Sequence, residues 1–225
     1  MWIQYIAAAT ILIASLVAMT KDNLKARLAY STISQLSYIV LGAMLAHDSA
    51  IIGGGMHIAM HAFGKITLFF CAGAVLVATH KTEISQMKGI GRQMPLTMTA
   101  FLLASLSIIG LPPFGGVWSK WYLAIGALEA HQAIFVGVLM LSSLLNVAYL
   151  LPIPLQAFFG KPADDGHADA AGHGHVPPRY GPRIGEMREA PWPCLIAIAI
   201  TTIGCIVLFF APHPLVALLQ PIVQR

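Results

Sequence analysis

Apolar blocks of about twenty residues recur along this chain, the length a helix needs to cross a hydrocarbon core roughly 30 Å thick. Six such segments are read, at residues 2–20, 27–46, 51–79, 96–130, 133–159 and 192–211. Of 225 residues, 57% are hydrophobic and only 10% charged, against about a quarter charged in soluble domains. The expected fold class is therefore all-α, a polytopic membrane helix bundle of about six transmembrane helices. The opening MWIQYIAAAT has no basic region ahead of its apolar run, so it reads as a first membrane helix rather than a cleaved signal peptide.

The fourth segment is too long for one crossing and is interrupted by Leu111-Pro112-Pro113-Phe114-Gly115-Gly116. Proline lacks the amide donor and clashes with the preceding turn, so Pro112 and Pro113 break the helix. Loop charges decide how many crossings result, because short cytoplasmic loops collect Lys and Arg. Lys21, Lys25 and Arg27 fall in the first loop, and Lys81, Lys88 and Arg92 in the third. The fifth holds Lys161, Arg179, Arg183 and Arg188, while the second and fourth hold none. Counting the broken segment as one discontinuous helix puts all of these on one side, with both chain ends outside. A multi-pass protein of the plasma (inner) membrane is expected, with the lipid bilayer around it.

The formal charge of +4 does not point to nucleic acid, since the basic residues sit in short loops and form no face with interleaved aromatics. Cys71, Cys194 and Cys205 are odd in number and lie in or beside apolar blocks, giving neither a disulfide framework nor a metal pattern. Residues 160–191 are rich in Gly, Pro and Asp and read as a polar cytoplasmic loop. Its His167, His173 and His175 lack the fixed geometry a metal site needs, so no metal is expected. No nucleotide, flavin or iron-sulfur motif occurs, and no cofactor is expected.

Topology accounts for every Lys and Arg except Lys65 and Lys120. Lys65 is fourteen residues from either end of the 51–79 segment, about 21 Å of helix, too far for its stem to reach an interface. A lysine at that depth costs about 2.5 to 3.5 kcal/mol on insertion scales, so the fold must offer water or partners. The stretch HIAMHAFGK places His57, His61 and Lys65 at i, i+4 and i+8, one helical face. Histidine titrates near neutral pH, so the stripe suits stepwise proton movement. The alternative is a set of buried groups that simply bond neighbouring helices. A zinc protease helix is excluded, because HIAMH lacks the glutamate of HExxH.

Lys120 follows Gly115 and Gly116 by a few residues, in the first turns of the half-helix beyond the break. The positive end of that half-helix should disfavour an ammonium, and unwound backbone at depth must be buried in protein or line a water-filled cavity. Broken helices recur at transporter ion sites. Lys25 and Arg27 are first of all topology determinants. Ser31, Thr32, Ser34, Gln35 and Ser37 give the second segment a hydroxyl-rich side suited to helix contacts or ordered water.

Three motifs, LKARLAYSTISQLSY, HIAMHAFGKITLFFCAGAV and GLPPFGGVWSKW, resemble in order and spacing the antiporter-like subunits shared by respiratory complex I and the multisubunit Mrp-type cation/proton antiporters. The resemblance runs from about residue 15 to 160. It implies a fold of fourteen helices with two inverted five-helix repeats, each holding one discontinuous helix. Residues 1–159 resemble the second repeat, 160–191 a cytoplasmic loop, and 192–225 the final transmembrane helix and tail. By motif position, His57, His61 and Lys65 correspond to the family's central hydrophilic axis. Lys120 corresponds to the charged residue of the broken helix that ends the exit path, and Lys25 to the lysine at the start of the LAYST motif. The family's first repeat has no counterpart here, and Gly64 replaces a commonly bulky residue, which should loosen packing beside Lys65.

The short ending REAPWPCLIAIAITTIGCIVLFF resembles the D-type Mrp subunit. The expected function is therefore a proton-translocating subunit of a cation/proton antiporter. The alternative is an antiporter-like proton-pumping subunit of NADH:quinone oxidoreductase or a membrane hydrogenase, with all redox catalysis on its partners. A structural membrane module without transport of its own is a third reading. Expected partners are other membrane subunits, a separately encoded first repeat, protons and Na+.

Overall fold

The computed structural model describes residues 2–160, 183–184 and 187–223. The helices are α1 (Trp2–Thr20), α2 (Leu24–Leu45), α3 (Asp48–Thr79), α4 (Pro95–Ile109), α5 (Gly116–Glu129), α6 (Ile134–Leu150), α7 (Pro152–Phe159), α8 (Trp192–Phe210) and α9 (His213–Val223). Two short 3-10 turns link α3 to α4, and a two-stranded antiparallel pair, β1 (Arg183–Ile184) and β2 (Met187–Arg188), precedes α8. Helices α1, α2, α3 and α8 and the joined α6–α7 are long and apolar enough to cross a membrane. The all-helical, multi-pass architecture expected from the apolar blocks is thus observed. The loop histidines His167, His173 and His175 lie outside the described residues.

Local chemistry sets the helix ends. Asn23 caps α2 by accepting the Ala26 N–H at 3.1 Å. Pro95 opens α4, where its missing N–H is harmless. Gly110 closes α4 in the left-handed region at φ +88°, which a side chain would resist. The joined segment at 133–159 is interrupted at Leu151, just ahead of Pro152 and Pro154.

One helix was not expected. Within the expected tail, His213–Val223 form α9. The apolar run LVALL between Pro214 and Gln220 is too short for a membrane-spanning segment. It lies on α3 at Gly55, where an added Cβ would stand 2.6 Å from Leu219 Cδ2.

Packing divides the bundle into two apolar clusters. On α2, cluster members Leu24 and Leu28 lie on one side of Ser31, Ser34 and Gln35, and Tyr38, Leu41 and Leu45 on the other. On α3, Ala50 and Leu68 to Val75 flank His57, His61 and Lys65. On α6, Phe135 and Leu139 are separated from Tyr149 and Leu150 by Ser142 and Asn146. Three neighbouring helices therefore contribute one buried polar layer, held between two apolar ones. Close backbone approach fixes this arrangement. A Cβ on Gly126 would stand 2.3 Å from the Ala50 amide nitrogen, and one on Gly53 would stand 2.6 Å from that of Leu123, so α3 and α5 touch along their main chains.

Candidate functional site

The polar layer contains Lys65, His61, His57 and Lys120, each between 3% and 8% exposed. Neither lysine snorkels to a surface. Lys65 Nζ donates to Ser31 Oγ at 2.6 Å and to the Leu28 carbonyl at 3.2 Å, both on α2. The hydroxyl-rich side of α2 thus receives the lysine directly, and Ser34 beside it bonds Ser15 and the Ile11 carbonyl of α1.

The two histidines continue along α3. The His57 and His61 rings stack with centroids 5.6 Å apart and planes 19° from parallel. His57 stacks in turn on Tyr38 at 5.3 Å and 10°. The Tyr38 ring lies 5.4 Å from Lys120 Nζ, within cation–π range. His57 Nδ1 and Ser119 Oγ of α5 are 2.9 Å apart. A row of side chains, His61, His57, Tyr38 and Lys120, therefore connects α3 to α5, with Lys65 one turn along α3 from His61. Buried polar atoms are nearly always hydrogen-bonded, yet His57 Nε2, both ring nitrogens of His61, the Gln35 amide and Asn146 Nδ2 have no protein partner.

Lys120 reverses the electrostatic expectation. Its Cα lies in the first turns of α5, but Nζ reaches back across the break to the Ile109 carbonyl at 2.8 Å, at the C-terminal end of α4. That end of the helix is negative and favours a cation. Ser143 Oγ of α6 accepts a second hydrogen bond at 3.0 Å.

The break is formed by Gly110, Leu111, Pro112, Pro113, Phe114 and Gly115. Phe114, Gly115 and Gly116 are buried, and the Gly115 N–H donates to the Cys205 carbonyl of α8 at 3.0 Å. A Cβ on Gly116 would collide with the Ser107 carbonyl, so the half-helices cross closely. Leu111, Pro112 and Pro113 are exposed on this chain, so only part of the unwound backbone meets the burial expected at that depth.

Two further expectations change. Gly64 does not loosen the packing: a Cβ there would lie 2.8 Å from Ile108 Cδ1, so the missing side chain lets α4 press against α3. Lys25 is not gathered into the row. It is exposed in the first turn of α2, one turn from Leu28.

Several participants escaped sequence reasoning. Tyr38, Ser119, Ser143, Asn146 and Tyr149 all touch the row or its partners, and Tyr149 Oη lies 2.8 Å from Ser31 Oγ while also bonding Asn146 Oδ1. A signal was present in SSLLNVAY, where Ser142 or Ser143, Asn146 and Tyr149 recur at helical spacing on one face. Glu189 was also missed. It is buried and accepts from the Leu96 N–H at 2.6 Å and the Thr97 hydroxyl at 2.7 Å, capping α4 from a distant loop.

A multi-pass membrane protein with lysines and histidines joined at the depth of its bundle is a class defined by fold and site together. Residues 1–146 match the family described as NADH:quinone oxidoreductase/Mrp antiporter, TM, and the chain belongs to that family. It is 42% identical over 205 residues to NADH-quinone oxidoreductase subunit N of Desulforudis audaxviator, an alignment covering 91% of this chain and 40% of that protein. The chain thus spans about two fifths of the length of that relative. Its fold matches a chain of the Mrp complex from Dietzia sp. with a TM-score of 0.82 at 24% identity, covering 96% of this chain and 45% of the other. A chain of respiratory complex I from Thermus thermophilus matches with a TM-score of 0.78 at 19% identity, covering 99% and 43%. These structural relatives are parts of multisubunit membrane assemblies.

Proposed function

We propose that this chain is the second-repeat portion of an antiporter-like subunit that moves protons within an NADH:quinone oxidoreductase type of complex. The observation that carries the reading is that Lys65, His61, His57 and Lys120 share one buried layer, in which the two stacked imidazoles meet the Tyr38 ring that faces Lys120. Lysine and histidine each hold or release a proton, and the unpartnered ring nitrogens leave room for bridging water. Protons enter the row at Lys65 and leave it at Lys120, whose ammonium rests against the end of α4. Lys25, one turn along α2 from the Leu28 carbonyl that Lys65 bonds, stays outside the row, beside the first basic loop.

The relative at 42% identity, a quinone oxidoreductase subunit, favours this branch over the Mrp branch that the short ending suggested. Redox chemistry then belongs to partner subunits, and this chain supplies only the proton route. The remaining repeat of the same subunit supplies the input half of the path. The chain resides in the inner membrane with its basic loops cytoplasmic and both ends outside.

Lys65→Ala in the assembled complex tests the reading. Proton uptake into membrane vesicles falls to background while assembly is retained. Uptake at the unaltered rate would instead favour a structural module without transport.

A further inference from the structure

A second set of polar contacts leaves Lys65 in a direction the histidines do not use. Ser31 Oγ, which accepts from Lys65 Nζ at 2.6 Å, lies 2.8 Å from Tyr149 Oη. The Tyr149 hydroxyl also bonds Asn146 Oδ1 on the preceding turn of α6. All three side chains are essentially inaccessible, and Asn146 is one turn from Ser143, which accepts from Lys120.

Hydrogen counting gives this row a direction. An ammonium only donates, and an amide oxygen only accepts. With Lys65 charged, Ser31 Oγ accepts from Nζ and turns its single hydrogen to Tyr149. Tyr149 then turns its own to Asn146 Oδ1. When Lys65 is neutral, Nζ offers a lone pair. Tyr149 can then donate to Ser31 and Ser31 to Nζ, and Asn146 Oδ1 loses its hydrogen. Every hydroxyl keeps one hydrogen in both arrangements, so no proton leaves the row. Hydrogen bonds pointing the same way polarise one another, so the row acts as a unit.

We infer that Ser31, Tyr149 and Asn146 are positioning residues forming a reversible hydrogen-bond row that reads the charge of Lys65 and delivers it to α6 beside the partner of Lys120. This rests on the proposed transport role of Lys65. The other titratable groups around the row are His61 on α3, Tyr38 and Arg27 on α2, and Lys120 on α5. The Arg27 guanidinium donates to the Tyr149 carbonyl at 3.2 Å, anchoring that end of α6. Helix α4 carries no titratable side chain.

The test is the pH profile of proton uptake by vesicles carrying the assembled complex. Tyr149→Phe keeps the ring and removes only the hydroxyl, and Ser31→Ala removes only the oxygen. Each moves the half-maximal point about one unit toward lower pH, the effect of losing one charge-supporting hydrogen bond. Because both act on one row, the double variant moves it no further than either single one. Ser31→Ala alone carries the test if Tyr149→Phe does not assemble. Profiles unmoved in the variants, or shifts that sum in the double, overturn the inference. Lys65→Ala in the same vesicles separates the two readings. Survival of uptake sinks the transport role itself, whereas loss of uptake with an unmoved Tyr149→Phe profile sinks only the row.

Discussion

Lys120 Nζ donates to the carbonyl of Ile109, so a side chain on α5 is held by the last residue of α4. The two halves of the broken helix are thereby tied by the group proposed to carry the proton. Lys120→Gln keeps a donor for that carbonyl but cannot titrate. Proton uptake is lost while the assembled complex is recovered at normal levels. Lys120→Leu leaves both Ile109 and Ser143 without their donor and lowers stability by about 1 to 3 kcal/mol, read as an earlier thermal unfolding in detergent.

His57 is held by Ser119 from one side and by the Tyr38 ring from another. His57→Phe preserves the stack and removes both nitrogens, so uptake falls about a hundredfold, the order of a lost acid–base group. Ser119→Ala frees the ring without removing it. One hydrogen bond of about 1 kcal/mol corresponds to roughly a fivefold loss. Equal losses in the two variants would contradict the assignment of the proton to the ring.

Glycine replacements separate rigid from yielding contacts. At Gly126 a Cβ meets the Ala50 main chain at 2.3 Å, whereas at Gly64 it meets the end of the Ile108 side chain at 2.8 Å. Gly126→Ala is therefore destabilising by about 1 to 3 kcal/mol or more. Gly64→Ala stays below about 1.5 kcal/mol, because Ile108 can turn away. Comparing unfolding midpoints of the two purified variants checks the order.

Glu189 supplies the acceptor that Met94 at the start of α4 lacks. Glu189→Ala strips the Leu96 N–H and the Thr97 hydroxyl of their partner and costs about 1 to 2 kcal/mol. Glu189→Gln keeps an acceptor oxygen and falls between the two. Faster amide exchange confined to the first turn of α4 is the measurement that locates the effect.

Much of this architecture could be read before any coordinates. Segment lengths give the crossings, and Pro112 and Pro113 give the break, because hydrocarbon thickness and a missing amide donor act locally. Lys65 and Lys120 stood out because a charge at depth violates a strong rule. Of their partners, only Ser31 stood out, as part of the hydroxyl-rich side of α2. Ser143, Asn146 and Tyr149 are ordinary membrane-helix residues whose meaning depends on which helix lies opposite, and tertiary packing alone decides that. The direction of Lys120 was misjudged for a related reason: helix position fixes its Cα, but a long flexible stem chose the more favourable end of the neighbouring half-helix. Glu189 sits in a polar stretch where a carboxylate is unremarkable until α4 is placed beside it. Helix α9 is short and carries Pro214 and Pro221 within it, and it leans on α3 for its place.

The main-chain contact between α3 and α5 limits what can move. With Gly53 and Gly126 seated on the opposing backbone, neither helix can slide or roll without collision. The scaffold is close-packed where the groups proposed to carry protons are mounted. Change at the site is then expected in lysine stems, imidazole rings and hydroxyl hydrogens rather than in sliding of α3 past α5. On the transport reading proposed above, the close α3–α5 seam assigns timing to changes of charge rather than to movement of these two helices.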